Sequence, residues 1–203
     1  MMKVLTLCEN MFADKCSELQ KMVTADGYNF DTIVSIAAGG DYVAEAVIRN
    51  IAHNGKEIPA HFSVKRRRKG SSLKKGNLKS LISMMPRGIC NLLRIAESKF
   101  YALAGKFNKY KFNPVEIPAE LISLMRTGKS RRILIVDDAV DSGGTLLDVA
   151  ISLNNAITPD FGIIPEIRTA VIVVTRRNPS IIPDYSIYPE GQFLIRFPWA
   201  VDS

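Results

Sequence analysis

The stretch that most constrains the fold is residues 132–145. Arg132-Ile133-Leu134-Ile135-Val136 is a near-continuous apolar run, the pattern of a central strand buried on both faces of a parallel sheet. The run stops at Asp137-Asp138, and Ala139-Val140-Asp141-Ser142-Gly143-Gly144-Thr145 turns the chain into a helix predicted over 146–155. Two carboxylates at the carboxyl end of a strand can accept hydrogen bonds from a cis-diol. The amides of a Gly-rich turn at a helix N-terminus form a nest for a phosphate. In open α/β sheets ligands lie at this edge, so the expected location agrees with the chemistry. Taken alone, Asp141 or Ser142 serves equally well as a helix cap.

The remaining chain supplies the sheet that such a unit needs. Met11, Cys16, Leu19, Met22 and Val23 fall at helical spacing and predict a helix over 10–24, ended by Asp26-Gly27. A strand over 32–37 is followed by Ala38-Gly39-Gly40, which turns into a helix over 42–53. Asn54-Gly55 turns the chain again, and 58–64 reads as a second strand. A helix over 118–127 closed by Gly128, a buried strand over 170–175 and a short edge strand over 193–196 complete the pattern. Strands alternating with helices predict an α/β fold, a Rossmann-like parallel sheet flanked by helices. At 203 residues this suits a single domain, 1–203.

Charge is distributed unevenly. Residues 65–111 hold fourteen Lys or Arg against the single acid Glu97, a net of +13, which leaves −6 on the rest of a chain whose total is +7. Such a block favours polyanions, whether a phosphorylated substrate, nucleic acid or an acidic partner, unless it is only a solvated loop. Within 76–105, Leu78, Leu81, Ile82, Met85, Ile89, Leu92, Leu93, Ala96, Phe100 and Leu103 predict one helix broken at Pro86, or two. Arg87, Arg94, Glu97 and Lys99 interrupt this stripe too often for a membrane span. No apolar run reaches the ~18 to 20 residues that cross a bilayer, and no cleavable leader is evident, so a cytoplasmic protein without membrane association is expected. Cys8, Cys16 and Cys90 are scattered and odd in number, which fits buried or idle thiols rather than a zinc site or a disulfide framework. His53 and His61 carry no partner pattern and read as ordinary surface or core histidines.

The string ILIVDDAVDSGGT, residues 133–145, resembles the signature of type I phosphoribosyltransferases that binds 5-phosphoribosyl-1-pyrophosphate (PRPP). The resemblance implies magnesium-dependent transfer of the 5-phosphoribosyl group from PRPP to a nucleobase, in purine salvage, by a homodimer. It implies that Asp137 and Asp138 hold the ribose hydroxyls directly or through magnesium, that Ser142, Gly143, Gly144 and Thr145 grip the 5′-phosphate, and that Asp141, in that same loop, faces the base as proton acceptor.

IVSIAAGG, residues 33–40, resembles the family's pyrophosphate loop, which would be Ala37, Ala38, Gly39 and Gly40. It departs from the pattern at Ala38, where Arg or Lys is common. DYSIYPEGQFLIRFPWA, residues 184–200, resembles the tail of xanthine-guanine and hypoxanthine phosphoribosyltransferases, which forms a hood over the purine, here 176–203. In that likeness Phe193 or Leu194 lies on the base. Arg176 or Arg177 stands where a lysine donates to the exocyclic oxygen of a 6-oxopurine. Ala200 replaces the acid that commonly follows Pro-Trp, and Phe193 and Trp199 are as well suited to a core as to base stacking.

Residues 65–129 match only by occupying the position of the mobile lid, as a basic helical insert. A competing reading keeps the PRPP fold but makes the chain a PRPP- or nucleotide-sensing regulator that binds nucleic acid through this insert. Ala38 and the basic insert favour the regulator; Asp141 favours the enzyme.

Overall fold

In the computed structural model, which describes residues 3–66, 111–156 and 165–200, strands and helices alternate along the chain. β1 (Lys3–Thr6) leads to α1 (Glu9–Ala25), β2 (Thr32–Ile36) to α2 (Gly39–His53), and β3 (Ala60–Val64) follows. Then come α3 (Ala119–Arg126), β4 (Arg132–Val140), α4 (Gly144–Ala156), β5 (Glu166–Val174), β6 (Tyr185–Tyr188) and β7 (Phe193–Arg196). Five strands hydrogen-bond in the order β3-β2-β4-β5-β6, every neighbouring pair parallel.

β4 sets the layering, because successive side chains point to opposite faces. Leu134 and Val136 pack with Leu19 and Val23 of α1 and with Val43 and Val47 of α2. Ile133 and Ile135 pack on the other face, with Leu121 and Met125 of α3 and with Leu146, Val149 and Leu153 of α4. All these side chains are buried, each contributing roughly 1.5–3 kcal/mol through removal from water. Truncating one, as in Ile135→Ala, would cost about 2–5 kcal/mol because the neighbours cannot collapse fully into the cavity.

The expected open parallel sheet is present, with differences at its margins. The strand expected over 132–136 continues through both acids to Val140, because Asp137, Ala139 and Val140 pair with Val171, Val173 and Val174. β5 begins at Glu166 rather than 170, its alternating Glu166 and Arg168 having masked its strand character. The strand at 193–196 is not an edge of the main sheet. β7 pairs in parallel with β1, which sequence reading missed, in a separate two-stranded sheet. The edges of the main sheet are β3 and β6, the latter also missed. The helices expected within 76–105, and most of the insert expected over 65–129, lie outside the described residues.

At the amino ends of the strands polar groups pair with one another. Arg168 contacts the Asp26 carboxylate and Glu166 Oε1, the latter at 3.0 Å, while the Tyr185 hydroxyl donates to Asp26 Oδ2 at 2.8 Å. The Tyr28 hydroxyl lies 2.9 and 2.8 Å from the carbonyl oxygens of Ile133 and Glu166. Its largely buried setting pushes the phenol well above its ordinary pKa.

Candidate active site

The strand order reverses between β2 and β4. β2 is followed by β3 on one side, and β4 by β5 and β6 on the other, which opens a crevice at the carboxyl ends of the central pair. Both glycine loops open there. In the first, Ala37 and Gly39 are half-buried, Ala38 is exposed and Gly40 is buried. The Ala37–Ala38 peptide is cis. The helix expected from Tyr42 already begins at Gly39, so both glycines sit in its first turn. A Cβ on Gly39 would fall 2.2 Å from Asp138 Cγ, and one on Gly40 would fall 2.6 Å from the Val136 carbonyl oxygen. Only glycine allows this approach. It brings the pyrophosphate-loop candidates against the paired aspartates, although the two motifs lie far apart in sequence.

A polar cluster holds the start of α2. Asp41 Oδ1 accepts from Ser35 Oγ at 2.6 Å and from Ser63 Oγ at 2.7 Å, and Ser35 Oγ lies 2.8 Å from His61 Nε2. A carboxylate in the first helical turn is also favoured by the helix dipole.

The second loop follows β4. Asp137 and Asp138 are half-buried at the end of the strand, and the Asp138 amide donates to Asp137 Oδ1 at 2.9 Å. Asp141 and Ser142 are exposed, Gly143 and Gly144 buried, and Thr145 half-buried. Gly143 has φ +78°, and a Cβ there would meet the backbone nitrogen of Ile181 at 3.0 Å, so the turn needs glycine on both counts. Ser142 Oγ accepts from the Gly144 amide only at a long 3.4 Å, a weak cap. Its carbonyl accepts from the Ser180 amide at 2.7 Å, which ties the loop after β5 to this one.

Sequence reading missed three side chains around this loop, Thr175, Ile181 and Asp148, and placed Arg66 only within the basic insert. The Thr175 hydroxyl lies 3.2 Å from the Val140 carbonyl oxygen and 3.4 Å from Asp141 Oδ1. Ile181 supports Gly143. Arg66 Nη1 donates to Thr145 Oγ1 at 3.3 Å, and Arg66 Nε lies 2.8 Å from Asp148 Oδ2. Thr175 carries no sequence signal beyond following a buried strand. Asp148 does carry one, as an acid beside Leu146, Val149 and Leu153 on a helix that is largely apolar.

Arg176, half-buried, and Arg177, exposed, follow Thr175 and so lie at the same edge of the sheet as Asp141. The Arg177 side chain covers Gly191, where a Cβ would come within 2.7 Å of its Cγ. Phe193 and Leu194 are half-buried on β7, in the other sheet. The Phe193 ring packs on Tyr188 with centroids 5.1 Å apart. Trp199 stacks on Tyr42 at 4.3 Å and on Phe197 at 4.9 Å, and meets Phe12 edge-on at 5.0 Å. Aromatic packing thus fastens the tail to α1 and to the start of α2, beside the first glycine loop.

Among the described residues no group of three or more His, Cys, Asp or Glu side chains gathers in a way that would hold a metal. The Asp137–Asp138 pair nevertheless fits magnesium, which is commonly bound by one or two carboxylates and completed by water and substrate phosphate oxygens. The space Gly39 leaves for the Asp138 carboxylate supports that fit. No helix among the described residues is long and apolar enough to cross a membrane.

The phosphoribosyl transferase domain family matches residues 9–202. No curated protein matches the chain. Among solved structures, the chain is similar to a purine phosphoribosyltransferase from Pyrococcus horikoshii, with 18% identity, a TM-score of 0.59 and coverage of 98% of this chain and 95% of the other. The Helicobacter pylori xanthine-guanine-hypoxanthine phosphoribosyltransferase has 17% identity, a TM-score of 0.51 and coverage of 97% and 93%. A hypothetical protein from Neisseria gonorrhoeae with bound ppGpp has 15% identity, a TM-score of 0.54 and coverage of 98% and 90%. At these identities the likeness is one of fold. The match over 9–202, joined to a parallel sheet with both glycine loops at one crevice, means that the chain belongs to the phosphoribosyl transferase domain family.

Proposed function

We propose that the chain is a magnesium-dependent phosphoribosyltransferase that moves the 5-phosphoribosyl group of PRPP to a 6-oxopurine and releases pyrophosphate. The observation that carries this reading is the approach of Gly39 to Asp138. Backbone amides suited to a pyrophosphate and carboxylates suited to a ribose diol then share one crevice. Membership of the family supports PRPP-dependent transfer.

In the reaction a ring nitrogen of the base attacks C1 of the ribose as the bond from C1 to pyrophosphate breaks. Positive charge builds on the sugar and negative charge on the leaving group. Asp137 and Asp138 accept from the ribose hydroxyls and hold C1 in line with the base. Ser142, Gly143, Gly144 and Thr145 bind the 5′-phosphate through amides and hydroxyls, while Ala37, Ala38, Gly39 and Gly40 turn amides toward the pyrophosphate. Asp141 takes the proton that the base releases, with the Thr175 hydroxyl steadying its carboxylate. Magnesium, when bound at Asp137 and Asp138, supplies positive charge to offset that of the leaving group.

Arg176 or Arg177 donates to the exocyclic oxygen of the base, and Phe193 or Leu194 covers its face. Adenine would set donor against donor, an unpaired arrangement that costs ~1–3 kcal/mol. A side-by-side assay of xanthine, guanine, hypoxanthine, adenine and orotate tests this. A 6-oxopurine should be the best acceptor, and adenine or orotate in first place would refute the specificity.

Two observations favour a second reading, a PRPP- or nucleotide-sensing regulator. Ala38 leaves the pyrophosphate loop without a cation of its own, and residues 65–111 concentrate a net +13. A regulator would bind PRPP without releasing pyrophosphate and would bind nucleic acid with an affinity that falls steeply with salt.

A further inference from the structure

α4 carries an unusual charge. Asp148 is fully buried, its side chain 0% exposed, although a carboxylate leaves water only at considerable cost unless it is paired and hydrogen-bonded. Its Oδ2 lies 2.8 Å from Arg66 Nε, close enough for an ion pair, although no hydrogen bond is directed between these two atoms. Its Oδ1 accepts from the backbone amide of Asn113 at 2.9 Å. Asp148 stands three residues after Thr145, so both occupy one face of α4, and the same guanidinium reaches Thr145 Oγ1 through Nη1 at 3.3 Å. Ser152, one turn further along, makes a separate contact by accepting from the Val115 amide at 2.9 Å.

A hydroxyl that accepts from a guanidinium turns its own proton elsewhere. At Thr145 that proton becomes available to an anion in the loop, and the cationic donor polarises it, since linked hydrogen bonds strengthen one another. Arg66 has the fork geometry to contact Asp148 and Thr145 together, which a lysine ammonium at the same position cannot reproduce.

We propose that Asp148 is a positioning residue for the 5′-phosphate. It holds the Arg66 guanidinium against Thr145, which sets the threonine hydroxyl as a donor to the phosphate and adds a fixed positive charge beside the loop. The proposal rests on the reading of Ser142 to Thr145 as the 5′-phosphate loop. Asp148 touches no substrate and acts through Arg66.

The test measures PRPP affinity by calorimetry and steady-state turnover for Asp148→Asn, Arg66→Met, Arg66→Lys, the Asp148→Asn/Arg66→Met pair and Ser152→Ala. Asp148→Asn and Arg66→Met should each raise KM for PRPP ~10-fold, the loss of a charge-assisted bond, with kcat and KM for the base within ~2-fold. The double variant should be no worse than about either single one, because the residues act as one unit. Arg66→Lys should restore less than half of the loss. Ser152→Ala should lower the melting temperature and leave KM for PRPP unchanged. If Asp148→Asn fails to fold, Arg66→Met and Arg66→Lys carry the test. An unchanged KM in Asp148→Asn or Arg66→Met, equal loss in kcat, or an equal rise in KM with Ser152→Ala would overturn the positioning role while leaving the phosphate loop intact. Wild-type protein that binds no PRPP would instead overturn the loop reading, and this proposal with it.

Discussion

The two glycine loops at the carboxyl edge of the sheet reach the same crevice by opposite means. The end of β4 and the loop after it carry their chemistry in side chains, namely Asp137 and Asp138 on the strand and Asp141, Ser142 and Thr145 beyond it. The loop after β2 runs Ala37, Ala38, Gly39, Gly40 and offers backbone alone. The first should therefore fail when a functional group is removed, and the second when an atom is added. In both, glycine is required by close approach, to Asp138 and the Val136 carbonyl in one case and to Ile181 in the other.

The largest effect is expected from Asp137→Asn with Asp138→Asn. Turnover should fall ~10³-fold or more, with PRPP and magnesium binding weakened together, because in the proposed mechanism both carboxylates act on the bound sugar and its charge. Undiminished affinity by calorimetry would break the ribose assignment. Asp141→Asn should lower kcat ~10²-fold and leave PRPP affinity intact, because it removes a proton acceptor without altering the loop. Unchanged kcat would remove Asp141 as the base.

Gly39→Ala tests the other side of the comparison. Its Cβ would fall 2.2 Å from Asp138 Cγ, so either the carboxylate or the start of α2 must move. The expected result is a loss of about 1–3 kcal/mol of stability by denaturant unfolding, together with weaker PRPP binding. An unperturbed variant would show that the two loops are not in contact.

The smallest effect lies at the opposite end of the sheet, away from both loops. Hydrogen bonds from Tyr185 and then Arg168 hold the Asp26 carboxyl below the usual carboxylate range. A lowered folded-state pKa stabilises the protein above the unfolded value, near ~4, and that stabilisation is lost as pH falls through the lower folded value. Asp26→Asn should lower the melting temperature slightly at neutral pH, the difference from wild type closing in acid, with PRPP turnover unchanged. A difference that persists at low pH would assign the effect to packing instead.

The β4–α4 loop was legible because two independent signals coincide there, a strand buried on both faces and residues whose chemistry suits a sugar phosphate. The β2–α2 loop was legible as a turn, but its contact with Asp138 is a tertiary fact that no local pattern encodes. β1 escaped notice because it is held by β7 from the far end of the chain, a pairing that no local pattern encodes, and β6 was read only as part of the tail. Trp199 was read equally as core or as a base platform; its stacking on Tyr42 and Phe197 gives it an anchoring contact. The Arg66–Asp148 pair joins the start of the insert to α4, and spacing alone could not have matched them. Cys16 is buried, and that burial pushes its thiol up to about 12, in keeping with an idle role; Cys8 is exposed.

Phosphoribosyl transfer at the paired aspartates, as proposed, must show as pyrophosphate release that depends on both of them. The most direct measurement is pyrophosphate release from PRPP and magnesium, with and without a 6-oxopurine, in the wild type and in the Asp137→Asn/Asp138→Asn variant. Base-dependent release is expected in the wild type and its loss in the variant. PRPP bound by the wild type without release for any base, or release that survives the double substitution, would contradict it.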